Sequence, residues 1–140
     1  MEINAGGNPV PVGTRWGVAC ALVCVTVLVG CAAEGARSGA ADAASRFLSA
    51  AADGDTATAC ALLTPRTRED LVTSDGPCAE SLPADELTGT VTGVDTWSEW
   101  AKVDTEAGSL FLAEFESGWL VSAAGCQPEQ DAPYRCLVGG

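Results

Sequence analysis

Residues 100–123 read WAKVDTEAGSLFLAEFESGWLVSA. Trp100 to Thr105 is rich in Trp, Val and Thr, as a strand should be. Glu106-Ala107-Gly108 makes a turn, and Ser109 to Glu116 is a second extended run. Ser117-Gly118 turns the chain again into Trp119 to Ala123. Strand runs separated by turns this short join antiparallel neighbours. In Ser109 to Glu116 the side chains Phe111, Ala113 and Phe115 fall on one face, while Leu110 and Leu112 fall on the other. Both sets are apolar, so the sheet is expected to be covered on both sides there.

Upstream, Thr88 to Thr96 predicts another strand, with Gly93 breaking its alternation as at a bulge. Downstream, Tyr134 to Val138 predicts a tail strand. Before residue 87 the pattern is helical. Ala40, Ala43, Ala44, Phe47, Leu48 and Ala51 recur at helical spacing on one face of a segment Ala40 to Ala52, and Gly54 is placed to end it. Asp55 reads as the N-cap of a helix Thr56 to Leu63. Thr64 caps a third segment, Pro65 to Val72, with proline at its favoured first position. Asp75-Gly76-Pro77 is a turn, and Cys78 to Leu82 one more helical turn. Helices followed by an antiparallel meander predict an α+β domain, with helices packed on a sheet of about four strands. Its expected core is Phe47, Leu48, Leu63, Val103, Phe111, Phe115 and Val121.

The order of these parts resembles the small NTF2-like, or cystatin-like, lipoproteins. The likeness rests on an Ala-rich opening helix with Phe47-Leu48, the Gly54-Asp55 turn, a Cys/Leu-Leu helix, and strands closing on Gly118-Trp119-Leu120-Val121. It covers residues 40–123. It implies a curved sheet wrapped on a helix around a conical pocket, and fold likeness alone carries no activity.

Toward the N-terminus, Trp16 to Gly30 (WGVACALVCVTVLVG) is uncharged and follows Arg15. A positive edge before an apolar run is what export requires. Fifteen residues fall short of the roughly 20 that span a bilayer. The run ends in Leu28-Val29-Gly30-Cys31, which resembles the bacterial lipobox. The resemblance implies that Cys31 receives a diacylglyceryl group and that the leader, 1–30, is cut away before it. Cys20 and Cys24 sit within the run and read as small apolar leader residues. The first fourteen residues carry no Lys or Arg, and a start at Val10 or Val12 gives a more ordinary leader. The expected organisation is therefore a leader 1–30, a lipidated flexible tether 31–38, and a domain 39–140. That domain lies on the extracytoplasmic side of a cell membrane.

Before Cys31 the only charges are Glu2 and Arg15, so residues 31–140 carry 6 Lys and Arg against 18 Asp and Glu, a net charge of -12. Nucleic acid and anionic lipid headgroups repel such a surface. The chain has no histidine, which removes the commonest general base and transition-metal ligand. Neither a Ser-His-Asp nor a Cys-His site can be built within it. No cofactor is expected.

Four cysteines follow Cys31: Cys60, Cys78, Cys126 and Cys136. An even number in an exported domain reads as two disulfides, with three pairings open. Cys60–Cys78 and Cys126–Cys136 are favoured, because each pair brackets a short segment containing turn residues. A four-thiolate zinc site lacks any C-x-x-C spacing. Asp53-Gly54-Asp55 opens like a calcium loop, but Ala57 and Ala59 stand where oxygen donors belong, and a helix end with an N-cap explains it better. Glu114 and Glu116 share a strand face as paired carboxylates would, and a solvated face accounts for them. Trp97, Trp100 and Trp119 offer a ligand or partner surface. Core filling is their alternative and expected use in a domain with few aromatics.

These features favour a non-catalytic binding or accessory module tethered to a membrane, with a protein partner at the cell envelope. The alternatives are a small pocket enzyme of isomerase or cyclase type using an Asp, and a structural envelope protein. Metabolic labelling with a fatty-acid analogue should mark the wild-type chain and leave Cys31→Ser unmarked; equal label on both would rule out lipidation at Cys31.

Overall fold

The computed structural model describes the backbone of residues 12–140, with side chains from Gly30 onward. Residues 1–11 lie outside the described residues, as do the side chains of 12–29, those of Leu28 and Val29 in the expected lipobox included. The chain divides into two compact units, residues 1–34 and 35–140. Among the described residues, no helix is long and apolar enough to cross a membrane.

Helix α1 is Val12–Ala52. The segment 31–38, expected as a flexible tether, is helical. Ala32, Ala33 and Ala36 are the best helix formers, and Gly35 within a helix costs only about 1 kcal/mol relative to Ala. In the unit 35–140, α1 ends at Gly54, whose φ of +74° suits a residue without a Cβ. Three short helices follow: α2 (Thr56–Ala61), α3 (Pro65–Asp70) and α4 (Cys78–Ser81). The Asp55 carboxylate accepts the Thr58 N–H, and the Thr64 hydroxyl accepts the Thr67 N–H, so both expected caps are made.

After a 3-10 turn at Ala84–Glu86 come five strands: β1 (Val91–Trp97), β2 (Trp100–Thr105), β3 (Gly108–Phe115), β4 (Gly118–Cys126) and β5 (Val138–Gly139). They form an open antiparallel sheet in the order β1-β2-β3-β4-β5. The fold is thus α+β; β5 is the expected tail strand, shortened to two residues, and it brings the sheet of about four strands to five. Strand β1 starts later than the sequence suggests because the Glu106 carboxylate takes the N–H and hydroxyl of Thr90. The register shifts between Val91 and Gly93, where the bulge was expected.

One face of the sheet lies on α1. Ala40, Ala44 and Phe47 are fully buried, and they pack in one cluster with Ala101, Val103, Leu110, Leu112 and Val121 from the strands. The alanines keep the helix surface flat and bring it close to the sheet. At Gly39 the approach is tightest: a Cβ there would stand 3.0 Å from Cδ1 of Trp119. Leu63 and Leu87 close the cluster from the side, so the space between helices and sheet is filled with side chains.

Two expected core residues are elsewhere. Phe115 is 43% exposed and Phe111 is only half-buried. The alternation in β3 is as expected, but only the short α3 reaches the second face, beside β4, so Phe115 stands exposed and Phe111 half-buried on the outer side. Replacing Phe47 by Ala should therefore destabilise the domain by about 3–5 kcal/mol, whereas Phe115→Ala should cost about 1 kcal/mol or less. Urea unfolding with the disulfides intact measures both, and a comparable loss for the two would overturn the assignment of faces.

Candidate functional site

The outer face of the sheet is set by cross-strand pairing. Trp97 pairs with Trp100, and Trp100 with Ala113; Asp95 pairs with Lys102, and Lys102 with Phe111. Side chains of directly opposed residues share a face. A stripe of Trp97, Trp100, Phe111 and Phe115 therefore stands opposite the buried side. Trp97 and Trp100 are 49% and 44% exposed.

Two further segments turn this face into a groove. The first is α3. Leu62 and Thr64 bond through their backbones to Val121 of β4, at 2.9 and 2.8 Å, which carries the chain past the sheet edge and sets α3 along the outer side. The Thr67 hydroxyl then donates to the Ser122 carbonyl at 2.8 Å. The second is the tail. Cys126–Cys136 closes it into a loop, inside which Gln127 and Arg135 exchange two backbone hydrogen bonds of 2.8 Å. That loop lays Tyr134 edge-on against Phe111, with ring centroids 5.0 Å apart. The groove is open to solvent, has a volume of about 840 Å³, and is lined by Trp100, Phe111, Phe115 and Tyr134, with Pro65 and Pro133 at its sides. This lies within the roughly 300–1,000 Å³ typical of ligand pockets.

The polar groups of the lining are largely engaged with one another. Thr64 and Thr67 share a hydroxyl contact of 2.8 Å, and the Ser122 hydroxyl donates to the Phe111 carbonyl at 3.0 Å. Arg66 and Asp70 stand at the margin, 3.9 Å apart and both well exposed. Beside Phe111, on the same face, Lys102 lies 2.8 Å from the Asp104 carboxylate, which also accepts the Ser109 hydroxyl at 2.7 Å. The hydrogen bonds from Lys102 and then Ser109 hold the Asp104 carboxyl below its ordinary range, and the bond to Asp104 raises Lys102 above its own.

The structure separates the three tryptophans named from sequence. Trp119 is buried against α1 and belongs to the core; with no free face it offers nothing to a ligand. Trp97 and Trp100 are exposed, contrary to the expectation that they fill the core. Phe111, Phe115 and Tyr134 are the groove residues that sequence reasoning missed. The signal was the doubly apolar pattern of β3, read as a second covered face. Cys60 is bonded to Cys78, and Cys126 to Cys136, the pairing that the spacing favours. Both bridges fit an oxidising, extracytoplasmic compartment. Cys31 is free and exposed. Glu114 and Glu116 are exposed. Asp55 is held by its capping bond, which lowers its pKa. Among the described residues, no group of three or more His, Cys, Asp or Glu could hold a metal ion. Comparison with protein families, curated proteins and solved structures finds no match.

The Asp104 shift has a direction in pH. A carboxyl whose pKa is lowered on folding stabilises the fold above its unfolded value, about 3.9, and that contribution fades as pH falls through the folded value. Asp104 is partly exposed, so solvent screens the pair and the effect is small. Asp104→Asn should flatten the fall in melting temperature below about pH 4, because it removes the charge that faces Lys102 while its amide oxygen can still accept the Ser109 hydroxyl. An acid limb identical in variant and wild type would show that the pair contributes nothing.

Proposed function

We propose that this chain is an extracytoplasmic lipoprotein, held to a membrane through acyl chains on Cys31. In this reading its domain is a non-catalytic binding module that takes its ligand on the aromatic outer face of the sheet. The lipobox and the two disulfides support the setting. The NTF2-like resemblance belongs to the same reading, with one change. The space between helix and sheet, where that family has its pocket, is here packed by Phe47, Leu63 and Leu112, and the open concavity is on the other side.

The observation that carries the binding role is where the aromatics are placed. Residues 31–140 contain seven aromatic side chains. Phe47 and Trp119 fill the core; Trp97, Trp100, Phe111, Phe115 and Tyr134 lie on or over the outer face. A domain this small gains most from burying its largest apolar groups. Leaving a contiguous patch of them at the surface forgoes that stabilisation and marks an interaction site. A pocket enzyme would need a carboxylate converging with a hydrogen-bond donor inside an apolar cavity. The carboxylate at this groove, Asp70, is exposed and faces Arg66 instead.

Residues 35–140 contain the whole buried cluster and both disulfides, so this fragment should fold on its own, and a cooperative melting transition checks that it does. The neutral apolar dye Nile red should bind it with a blue-shifted rise in fluorescence. The double variant Trp100→Ala, Phe115→Ala should lose at least about fivefold in affinity, on the order of 1 kcal/mol, with its melting temperature nearly kept. Dye binding that ignores both substitutions, or no binding at all, would refute the groove as a ligand site.

A further inference from the structure

We infer that the aromatic face docks a basic, apolar-anchored segment of a partner protein, one that seats bulky apolar side chains in the groove and sets Lys or Arg against its rim. The inference rests on the binding-module reading above and specifies the partner's chemistry. Three observations lead to it.

The first concerns the groove walls. The hydroxyls of Thr64, Thr67 and Ser122 are bonded within the protein, so the lining presents mainly ring faces and alkyl groups. A sugar, whose hydroxyls each need a partner, would be left unsatisfied against such a wall. Apolar side chains would be well served, and Trp and Tyr are the residues that most often anchor protein interfaces.

The second concerns the rim. The segments beside the groove, 64–70, 95–104 and 129–136, carry seven Asp and Glu against four Lys and Arg. Three of those cations already face carboxylates of this chain: Arg66 with Asp70, Lys102 with Asp104, and Arg135 with Glu129. The field around the groove is therefore negative, and it sits in a domain with net charge -12. Such a field draws in cationic partners and repels anionic ones.

The third observation is what this charge excludes. A second copy of the chain would bring the same acidic rim against itself, and like-charge juxtaposition opposes association. Anionic lipid headgroups meet the same repulsion. A basic protein segment satisfies the apolar groove and the acidic rim together.

The test uses short fluorescein-labelled peptides and the fragment 35–140, read by fluorescence anisotropy. One peptide alternates Lys with Trp and Leu. A second carries Glu for Lys, and a third keeps Lys but carries Gly for the apolar residues. The first should bind, and the other two should bind at least about tenfold more weakly. Raising NaCl from about 50 to about 500 mM should weaken the first peptide severalfold, while Nile red binding stays unchanged. Trp100→Ala should weaken it at least about tenfold, and Trp100→Phe should restore most of the loss. Asp95→Lys with Asp131→Lys should weaken the peptide and leave the dye untouched. Melting temperatures and non-reducing maps of the disulfides establish that each variant is folded.

Equal binding of the Glu peptide, or of the Gly peptide, would overturn the inference. So would dimerisation of the fragment abolished by Trp100→Ala, or stronger binding to phosphatidylglycerol vesicles than to the Lys peptide. If Nile red binds and no peptide does, the basic partner is wrong and the binding-module reading stands. If neither binds, both fall.

Discussion

The two backbone hydrogen bonds between Val121 and the segment Leu62–Thr64 organise the rest of the domain. Val121 donates to the Leu62 carbonyl and accepts from the Thr64 N–H, so this short extended segment pairs with β4 as a further strand would. That satisfies part of an edge that would otherwise be open to another chain. It also holds Leu63 in the core at 1% exposure. Because Pro65 starts α3 directly after the capping Thr64, the helix must begin where the pairing ends. The chain thus goes from the helix-covered side, where Ala59 and Cys60 are buried, to the outer side, where α3 forms a wall of the groove. The disulfide Cys60–Cys78 ties the start of this crossing to α4.

The tail repeats the device at the other end of β4. There β4 runs beyond the Ala123 at which sequence alone would stop it, to Cys126, because Ala123 and Ala124 pair with Val138 and Gly139. Leu137 also donates to the Ala124 carbonyl. The Cys126–Cys136 bridge shortens the loop between, and the loop carries Tyr134 onto Phe111. Both walls of the groove are therefore short, turn-rich segments held by backbone pairing to one strand and stapled by a disulfide. Neither has much apolar surface of its own to bury, so the bridges, at about 2–4 kcal/mol each, matter more here than in a larger domain.

Much of the fold was legible because it depends on local chemistry. Asp55 and Thr64 cap helices since their oxygens reach the free N–H groups of the first turn. Gly54 ends α1 since it accepts a positive φ. The turns at Glu106-Ala107-Gly108 and Ser117-Gly118 follow from glycine at positions of φ +133° and +111°. The face of Ala40 to Ala51 follows from helical spacing. What sequence could not supply was what covers each face of the sheet. Leu110 and Leu112 look no different from Phe111 and Phe115 in periodicity, yet one pair is buried under α1 and the other is not. That outcome depends on how many helices are long enough to cover a sheet. After α1 the helices α2, α3 and α4 have only 6, 6 and 4 residues, too short to lay an apolar stripe across four strands. Trp119 was likewise undecidable from spacing. Its burial depends on Gly39, which lies eighty positions earlier and leaves room for the indole.

The same shortage of helix explains why an exposed aromatic face can persist here. With α1 as the one long cover, the sheet has a single dry side, and stability has to come from the close contact that Ala40, Ala43 and Ala44 permit with Val103, Leu110 and Leu112. Small residues on the helix bring the layers together and fill the space with few voids. The outer aromatics are then free of any duty in the core, and substitutions among them should cost little folding stability. High negative charge works to the same end. Like charge opposes association of such a domain with its own copies, and under the proposed reading it favours a partner of opposite charge. The acidic surface and the aromatic groove are in this sense one feature: without the charge, a face carrying Trp97, Trp100 and Phe115 at the surface would be a site of self-association.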